Sequence, residues 1–338
     1  MQISALLGVS VPTYFINDGS RNNKAVAASK QSQFQQKGVL AALVGARFEK
    51  PTKMEAEHML ITADCTEAAG YGQHAPSDSP NATLLRLWAQ LYSCGAADPF
   101  YHFPSYAEVS ALSQEERDAL GLQLLDSEER YFNTAVYKRR LRFSIQPFLI
   151  DGNRRAAEAG TSAYVHCIGL GLGAWKLSSC QAELMLQVYQ EVLQEACLPC
   201  ISDIHFAFQC EPCLAGCKHG DVFSAANGNQ VRVHFGRRNV AAKLAGEHAH
   251  KLLIGMYAWD SNAYPGNEYW SNLLSTSSDS SAACCSTICQ LQNPEINPHV
   301  SSASLFVCDL DYVAGAAAEK QGRGRHGKAS KGGLFSFL

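Results

Sequence analysis

Ala163-Tyr-Val-His-Cys-Ile168 runs into Gly169-Leu-Gly-Leu-Gly173-Ala-Trp175, and a helical stripe of Met185, Val188, Tyr189, Val192 and Ala196 follows. A short apolar run that stops at glycines reads as a strand, and apolar residues returning every three or four positions read as the buried face of a helix. Ser178 and Gln181 have the spacing of a capping box at the start of that helix. The stretch is a βα unit. Working outward, residues 201–208 supply the next strand, and Val231, Val233 and Phe235 alternate in another behind an Asn227-Gly228 turn. Residues 252–258 form a continuous apolar strand, and residues 304–308 a further one. Such unbroken apolar strands are covered on both faces, which predicts an α/β fold with a mixed or mainly parallel sheet flanked by helices.

The N-terminal half reads less clearly, and residues 1–45 form a mixed opening whose polar stretch 17–37 belongs on the surface. Arg47-Phe48-Glu49-Lys50-Pro51 leads into a short strand, Met59-Leu60-Ile61-Thr62, whose end presents Asp64. Residues 70–81 are loop-forming and 82–93 helical. Ser113-Gln-Glu-Glu116 has the form of a capping box, opening a helix with a solvated face that runs toward Arg139. Residues 143–150 read as extended, although Pro147 argues against a central strand. The chain carries no internal repeat and no clean linker.

The chain has 338 residues, 28 basic and 31 acidic, with a formal net charge of -3. Its basic residues include Lys320, Arg323, Arg325, Lys328 and Lys331 in a tail with no acid, so the body is distinctly acidic. An acidic body repels phosphate on average, which argues against specific nucleic-acid binding. No run of 18 apolar residues and no signal-like N-terminus is present, which argues against membrane insertion and for a cytoplasmic location. Thirteen cysteines, an odd number with Cys284 and Cys285 adjacent, do not resemble a disulfide framework, and most are expected to be buried thiols.

Chemistry is concentrated in three places. Gly169, Gly171 and Gly173 leave backbone accessible before a helix N-terminus, where a diphosphate could be held and Trp175 could stack on a base. The spacing is neither a dinucleotide fingerprint nor a phosphate loop, so a purely structural strand-to-helix turn stays open. Trp259-Asp-Ser-Asn-Ala-Tyr-Pro-Gly-Asn-Glu-Tyr-Trp270 follows an apolar strand directly, where open α/β sheets place ligands. Asp260 and Glu268 could orient water or bind ribose hydroxyls, with Asp279 joining them. Asn262, Tyr264, Gly266 and Asn267 would shape and line the same loop. Local capping by the two acids is the alternative. Ser286 and Thr287 lie in a small-residue run, 281–287, suited to a phosphate-binding turn.

The third place is the cysteine-rich stretch. Cys197 and Cys200 precede a strand, and Cys210, Cys213, Cys217 and His219 follow it. The last four could hold zinc locally, giving a zinc-stabilised scaffold as a rival reading, whereas a strand about 25 Å long separates the two CxxC pairs. Cys65, Cys167 and Cys284-Cys285 are weaker nucleophile candidates, with no histidine assignable to them.

Gly45-Ala-Arg-Phe-Glu49, Glu57-His-Met-Leu-Ile-Thr62, Gly169-Leu-Gly-Leu-Gly173, the stretch from Tyr257 to Trp270 and Ala282-Ala-Cys-Cys-Ser-Thr-Ile288 together resemble an atypical macrodomain family, formerly a domain of unknown function, that includes a Legionella effector. The resemblance implies a macrodomain-like unit over residues 1–315, including an N-terminal elaboration, with a disordered basic tail at 316–338. It implies ADP-ribose as ligand or product, no cofactor and no metal. The implied activity is removal of ADP-ribose from arginine on a protein partner, ubiquitin being the effector's, with a non-catalytic ADP-ribose reader as the alternative. Asp260, Glu268 and Asp279 carry over as catalytic acids with interchangeable roles. Asp64, Gly169, Gly171, Gly173, Trp175, Asn262, Tyr264, Gly266, Asn267, Ser286 and Thr287 are the ligand-binding set. The chain lacks the glycine pattern of ordinary macrodomains, which leaves the phosphate contacts loosely assigned.

Overall fold

The computed structural model describes residues 7–23, 26–48, 54–93, 101–125 and 129–259, with 305–306 and 334–335. Two compact units share the chain: Met1–Gly45, Phe143–Leu170 and Leu186–Leu338 make the first, Ala46–Arg142 and Gly171–Met185 the second.

The first unit is built on a seven-stranded sheet. Its strands are β1 (Gly8–Tyr14), β2 (Lys37–Leu43), β6 (Ala163–Cys167), β7 (Ile201–Phe206), β8 (Val222–Ser224), β9 (Gln230–Phe235) and β10 (Leu252–Ala258). The second unit holds β3 (Leu60–Ile61), β4 (Leu122–Leu124) and β5 (Tyr131–Asn133) in a small antiparallel sheet, ordered β3-β5-β4. Strand order in the large sheet is β1-β2-β10-β6-β7-β9-β8. The five strands from β2 to β9 run parallel, and β1 and β8 close the edges antiparallel. Among the described residues β10 is the last long strand in sequence, and it enters the sheet between β2 and β6. Leu305–Phe306 (β11) and Leu334–Phe335 (β12) form a separate two-residue parallel pair.

Both faces of the central strands are covered, as their unbroken apolar character requires. On one face, α6 (Gln181–Glu195) packs Tyr189 edge-on against Phe206 of β7 at 5.1 Å. The long helix α5 (Thr134–Glu158) brings Gly152 so close that a Cβ there would lie 3.6 Å from both Ile201 and Ile254. Asp151 of α5 accepts from Ser10 Oγ of β1 and from Arg155 Nε, each at 2.7 Å. On the opposite face, Val240 from the β9–β10 connection and Phe15 press on Gly255 and Gly38, where even an added methyl would collide.

Three expectations need correction. Residues 143–150 are not extended but lie inside α5, with Pro147 within the helix. The buried residues Tyr137, Leu141, Ile145, Leu149 and Ala156 recur at helical spacing, and this packing outweighs one proline. The helix opened by Ser113 does not reach Arg139. Its capping box with Glu116 is present, but α4 (Gln114–Leu120) stops at Gly121, whose φ of +70° ends a helix in the left-handed region. The remaining short helices are α1 (Ala56–Met59), α2 (Pro80–Tyr92) and α3 (Tyr106–Ala111). Among the described residues the thiols are less buried than expected: Cys65 and Cys167 are buried, but Cys180, Cys197, Cys200, Cys210, Cys213 and Cys217, all in connections, are half-buried.

Candidate active site

The placement of β10 fixes where the candidate stretches leave the sheet. Its C-terminal end lies between the C-terminal ends of β2 and β6, with Ala258 opposite Leu43 and Gly255 opposite His166. Three loops singled out in the sequence thus leave the same edge of three adjacent parallel strands. They begin at Val44-Gly45, Ile168-Gly169 and Trp259. Trp259 N donates to Leu43 O at 2.9 Å, so the backbone pairing continues one residue past β10. Trp259 is buried, and Ser144 Oγ donates to Val44 O at 2.8 Å, fixing the exit of β2. An edge where parallel strands end and a late strand is inserted is the usual ligand position in open α/β sheets.

The glycine turn has a specific local form. Gly171 adopts φ +71°, which only glycine takes up readily. Helix α6 begins eight residues after Gly173 rather than directly behind it, so the expected helix N-terminus is separated from the glycines by residues 174–180. Gln181 Oε1 accepts from Ser178 N at 2.9 Å, the glutamine half of a capping box, and Gln181 Nε2 donates to Tyr137 Oη at 3.3 Å. Trp175 is half-buried, and its carbonyl accepts from the same Gln181 amide at 3.5 Å.

The segment after β2 carries a buried charge cluster within the second unit. Glu55 accepts from Arg47 Nε at 2.8 Å, Arg47 Nη2 at 3.0 Å and Arg140 Nε at 2.9 Å. Burial pushes the Glu55 carboxyl up, but the Arg140 charge and the Arg47 hydrogen bonds outweigh it and bring it down to about 2. Beside it, the ring of His58 lies 5.0 Å from those of Trp88 and Phe103, with neither ring nitrogen hydrogen-bonded. Burial lowers this imidazole to about 4.

The first unit holds a second polar cluster, on the sheet face beneath the β9–β10 connection. Because parallel strands register side by side, His166, His205 and His234 form a ladder across β6, β7 and β9. His205 Nε2 donates to Gly236 O at 2.8 Å, which leaves Nδ1 to accept the Tyr164 hydroxyl, also at 2.8 Å. His166 Nε2 donates to Arg238 O at 2.9 Å. Asp203, one step back along β7, lies 2.9 Å from His234 Nε2, 3.4 Å from His248 Nδ1 and 2.5 Å from Lys251 Nζ. Among the described residues, Asp203, His234 and His248 are the group with metal-ligating geometry, whereas Cys210, Cys213, Cys217 and His219 do not converge in this way. His219 Nδ1 instead faces the backbone of Phe235 at 3.0 Å. Among the described residues these four side chains are thus not gathered into a ligand set.

A family model for MavL-like ADP-ribosylhydrolases matches residues 1–318. The chain belongs to this family. Two relatives in Drosophila melanogaster are similar across most of it. ADP-ribosylarginine hydrolase CG3568 is 32% identical over 327 residues, covering 92% of this chain and 60% of the relative. ADP-ribosylarginine hydrolase CG2909 is 30% identical over 305 residues, covering 88% and 58%. The chain thus spans about three-fifths of the length of these relatives.

Set against the family's chemistry, the site candidates divide by position. Gly169 lies at the sheet edge described above, in the first unit, and Gly171, Gly173 and Trp175 continue from it in the second. Asp64 is exposed in the turn after β3, in the second unit. Asp260, Asn262, Tyr264, Gly266, Asn267, Glu268, Asp279, Ser286 and Thr287 lie outside the described residues. Sequence reasoning missed the Glu55 cluster and the histidine ladder. The ladder did leave a signal: Val165-His166-Cys167, Ile204-His205-Phe206 and Val233-His234-Phe235 each place a histidine between apolar residues at a strand end.

Proposed function

We propose that this chain acts as an ADP-ribosylarginine hydrolase with macrodomain-like architecture. Residues 1–315 would act as one ADP-ribose-binding unit and 316–338 as a basic tail. What supports the reading is the position of the loop that starts at Trp259. It follows a strand held between two parallel neighbours in a chain of the MavL-like family, and it carries the acids Asp260 and Glu268, with Asp279 further on. The substrate is an ADP-ribosylated protein, ubiquitin being one candidate, and the setting is the cytoplasm. Among the described residues no helix is long and apolar enough to cross a membrane.

In the proposed reaction, water attacks C1″ of the distal ribose and the C1″–N bond to the arginine breaks. One carboxylate of Asp260, Glu268 and Asp279 accepts the water proton, and the others hold the ribose hydroxyls and stabilise the oxocarbenium-like centre. The carboxylate that takes the water proton, or solvent in exchange with it, returns a proton to the departing nitrogen, so that arginine leaves as its guanidinium, the weaker nucleophile toward C1″. Glycine backbone donors at 169–173 hold the diphosphate, and no metal takes part in this step.

Incubation with arginine-ADP-ribosylated protein tests the reading directly. Wild type should release free ADP-ribose, and Asp260→Ala should lower kcat/KM by on the order of 100-fold or more while remaining folded. Tight ADP-ribose binding without release by wild type would replace the hydrolase with a reader.

A further inference from the structure

We propose that Asp203, His234 and His248 form a zinc-class divalent cation site that Lys251 occupies as an internal surrogate. Asp203 is fully buried, and its two oxygens have different roles. Oδ2 accepts from Ser202 Oγ at 2.7 Å and from Lys251 Nζ at 2.5 Å, which fixes the plane of the carboxylate. Oδ1 is left toward the two imidazoles, 2.9 Å from His234 Nε2 and 3.4 Å from His248 Nδ1. Bonds of about 2.0 to 2.1 Å from zinc to nitrogen and oxygen, set at the tetrahedral angle, require ligand atoms about 3.3 Å apart. The two oxygen-to-nitrogen separations already lie near that spacing, and all three atoms fall within 4.8 Å of one another.

The surroundings are those of a ligand set rather than of a chance polar contact. The Tyr164 ring packs 5.4 Å from His234 and 5.2 Å from His248, restraining both imidazoles. His248 Nε2 lies 3.7 Å from Glu247 Oε1, so a carboxylate stands behind the nitrogen opposite the one facing the site. Lys251 Nζ approaches His248 Nδ1 to 3.1 Å and donates to it, which holds His248 in the tautomer whose Nδ1 lone pair points inward, engaged by the ammonium that a metal ion would displace. The ammonium shows that this position accepts positive charge between one carboxylate and one imidazole. A divalent ion would use the same two groups, recruit His234 Nε2 once its proton shifts to Nδ1, and leave a fourth position to water. Lys251 would then turn outward on its flexible stem, still charged, toward solvent that already reaches 12% of its side chain.

Position separates this site from the hydrolase loop. Asp203 is level with Tyr164 and Leu253, at the start of β10, and six residues along that strand, about 20 Å, separate it from Trp259. The cation would therefore pin the β9–β10 connection to the sheet, and the inference does not depend on the activity proposed above.

Cobalt(II) titration of the chelator-washed full chain distinguishes this site from the cysteines. One equivalent should bind with d–d absorption and without a thiolate-to-cobalt charge-transfer band. His234→Ala and His248→Ala should each abolish that signal. Lys251→Ala should bind about tenfold or more tightly, because no charge-assisted hydrogen bonds must be displaced. Its midpoint of thermal unfolding should also rise with added zinc, which gives a readout even where removing the lysine weakens the fold. No binding by both wild type and Lys251→Ala would overturn the proposal. So would binding that survives both histidine substitutions or shows the thiolate band.

Discussion

Glu55 is shared by two buried guanidiniums, and the arithmetic of such a group is asymmetric. Its carboxylate is held down at about 2 because, although burial raises it, Arg140 and Arg47 together count for more. Glu55→Gln keeps the shape but withdraws the anion and turns an N–H toward a guanidinium. Breaking one side of a buried ionic cluster typically costs about 3 to 5 kcal/mol. A loss of that size in urea unfolding at pH 7 is the expected result, and a loss near zero would mean that the arginines are neutralised elsewhere. Little of this was legible in the sequence. Glu55 sits among Lys50, Lys53 and Glu57 with no periodic signal, and Arg140 lies in Lys138-Arg139-Arg140, which reads as solvated surface. Only once α5 is known to continue past residue 143 does its helical period place Arg140 on the buried side with Val136, Tyr137 and Leu141.

At the scale of elements, β10 was the most readable part and also hides the tightest constraint. Its apolar residues identify a strand covered on both faces, yet Gly255 in its middle is required by something the strand itself does not show. A Cβ there would stand 2.5 Å from Val240 Cγ2 and 3.7 Å from Leu40 Cδ1. Gly255→Ala should therefore destabilise by about 1 to 3 kcal/mol through overpacking. Val240→Ala in the same chain should recover part of the loss, since the clash is with one branched side chain. If the two substitutions simply add in a double-mutant cycle, the clash is not what makes glycine necessary. The strands β6, β7, β9 and β10 were legible because their local pattern and their buried position agree. Helix α5 was not, because Pro147 has no N–H to donate to the carbonyl four residues back and so signals a break that the packing of Ile145 and Leu149 overrides. The stretch after β10 stood out as a site candidate from residue types alone, and the sheet adds that β10 itself ends between two parallel neighbours.

Over the whole molecule, both compact units bury imidazoles that folding keeps neutral, which couples stability to pH in one direction. Burial is the leading cause in each case, lowering His58 and His205 to about 4 and His166 to about 3. Unfolding releases these rings to a value near 6.5, so from pH 6.5 downward the unfolded chain binds protons that the folded chain refuses. Stability is complete above pH 6.5 and declines until the folded values are reached. Glu55 and Asp203 have carboxyls below their usual range, so their stabilisation is intact above about pH 4.5 and fades only under stronger acid. The interval from pH 7 to pH 5 therefore isolates the histidines. Between pH 6.5 and pH 5 each fully buried ring can account for up to about 2 kcal/mol, and less for the more accessible His205. The urea midpoint should fall across that interval, and His58→Phe should make the fall smaller. At pH 7 the same substitution should be neutral or stabilising, by up to about 1 kcal/mol, because phenylalanine fills the space between Trp88 and Phe103 without two unpartnered nitrogens. A flat pH response in wild type, or an undiminished one in His58→Phe, would show that these rings are not what acid attacks.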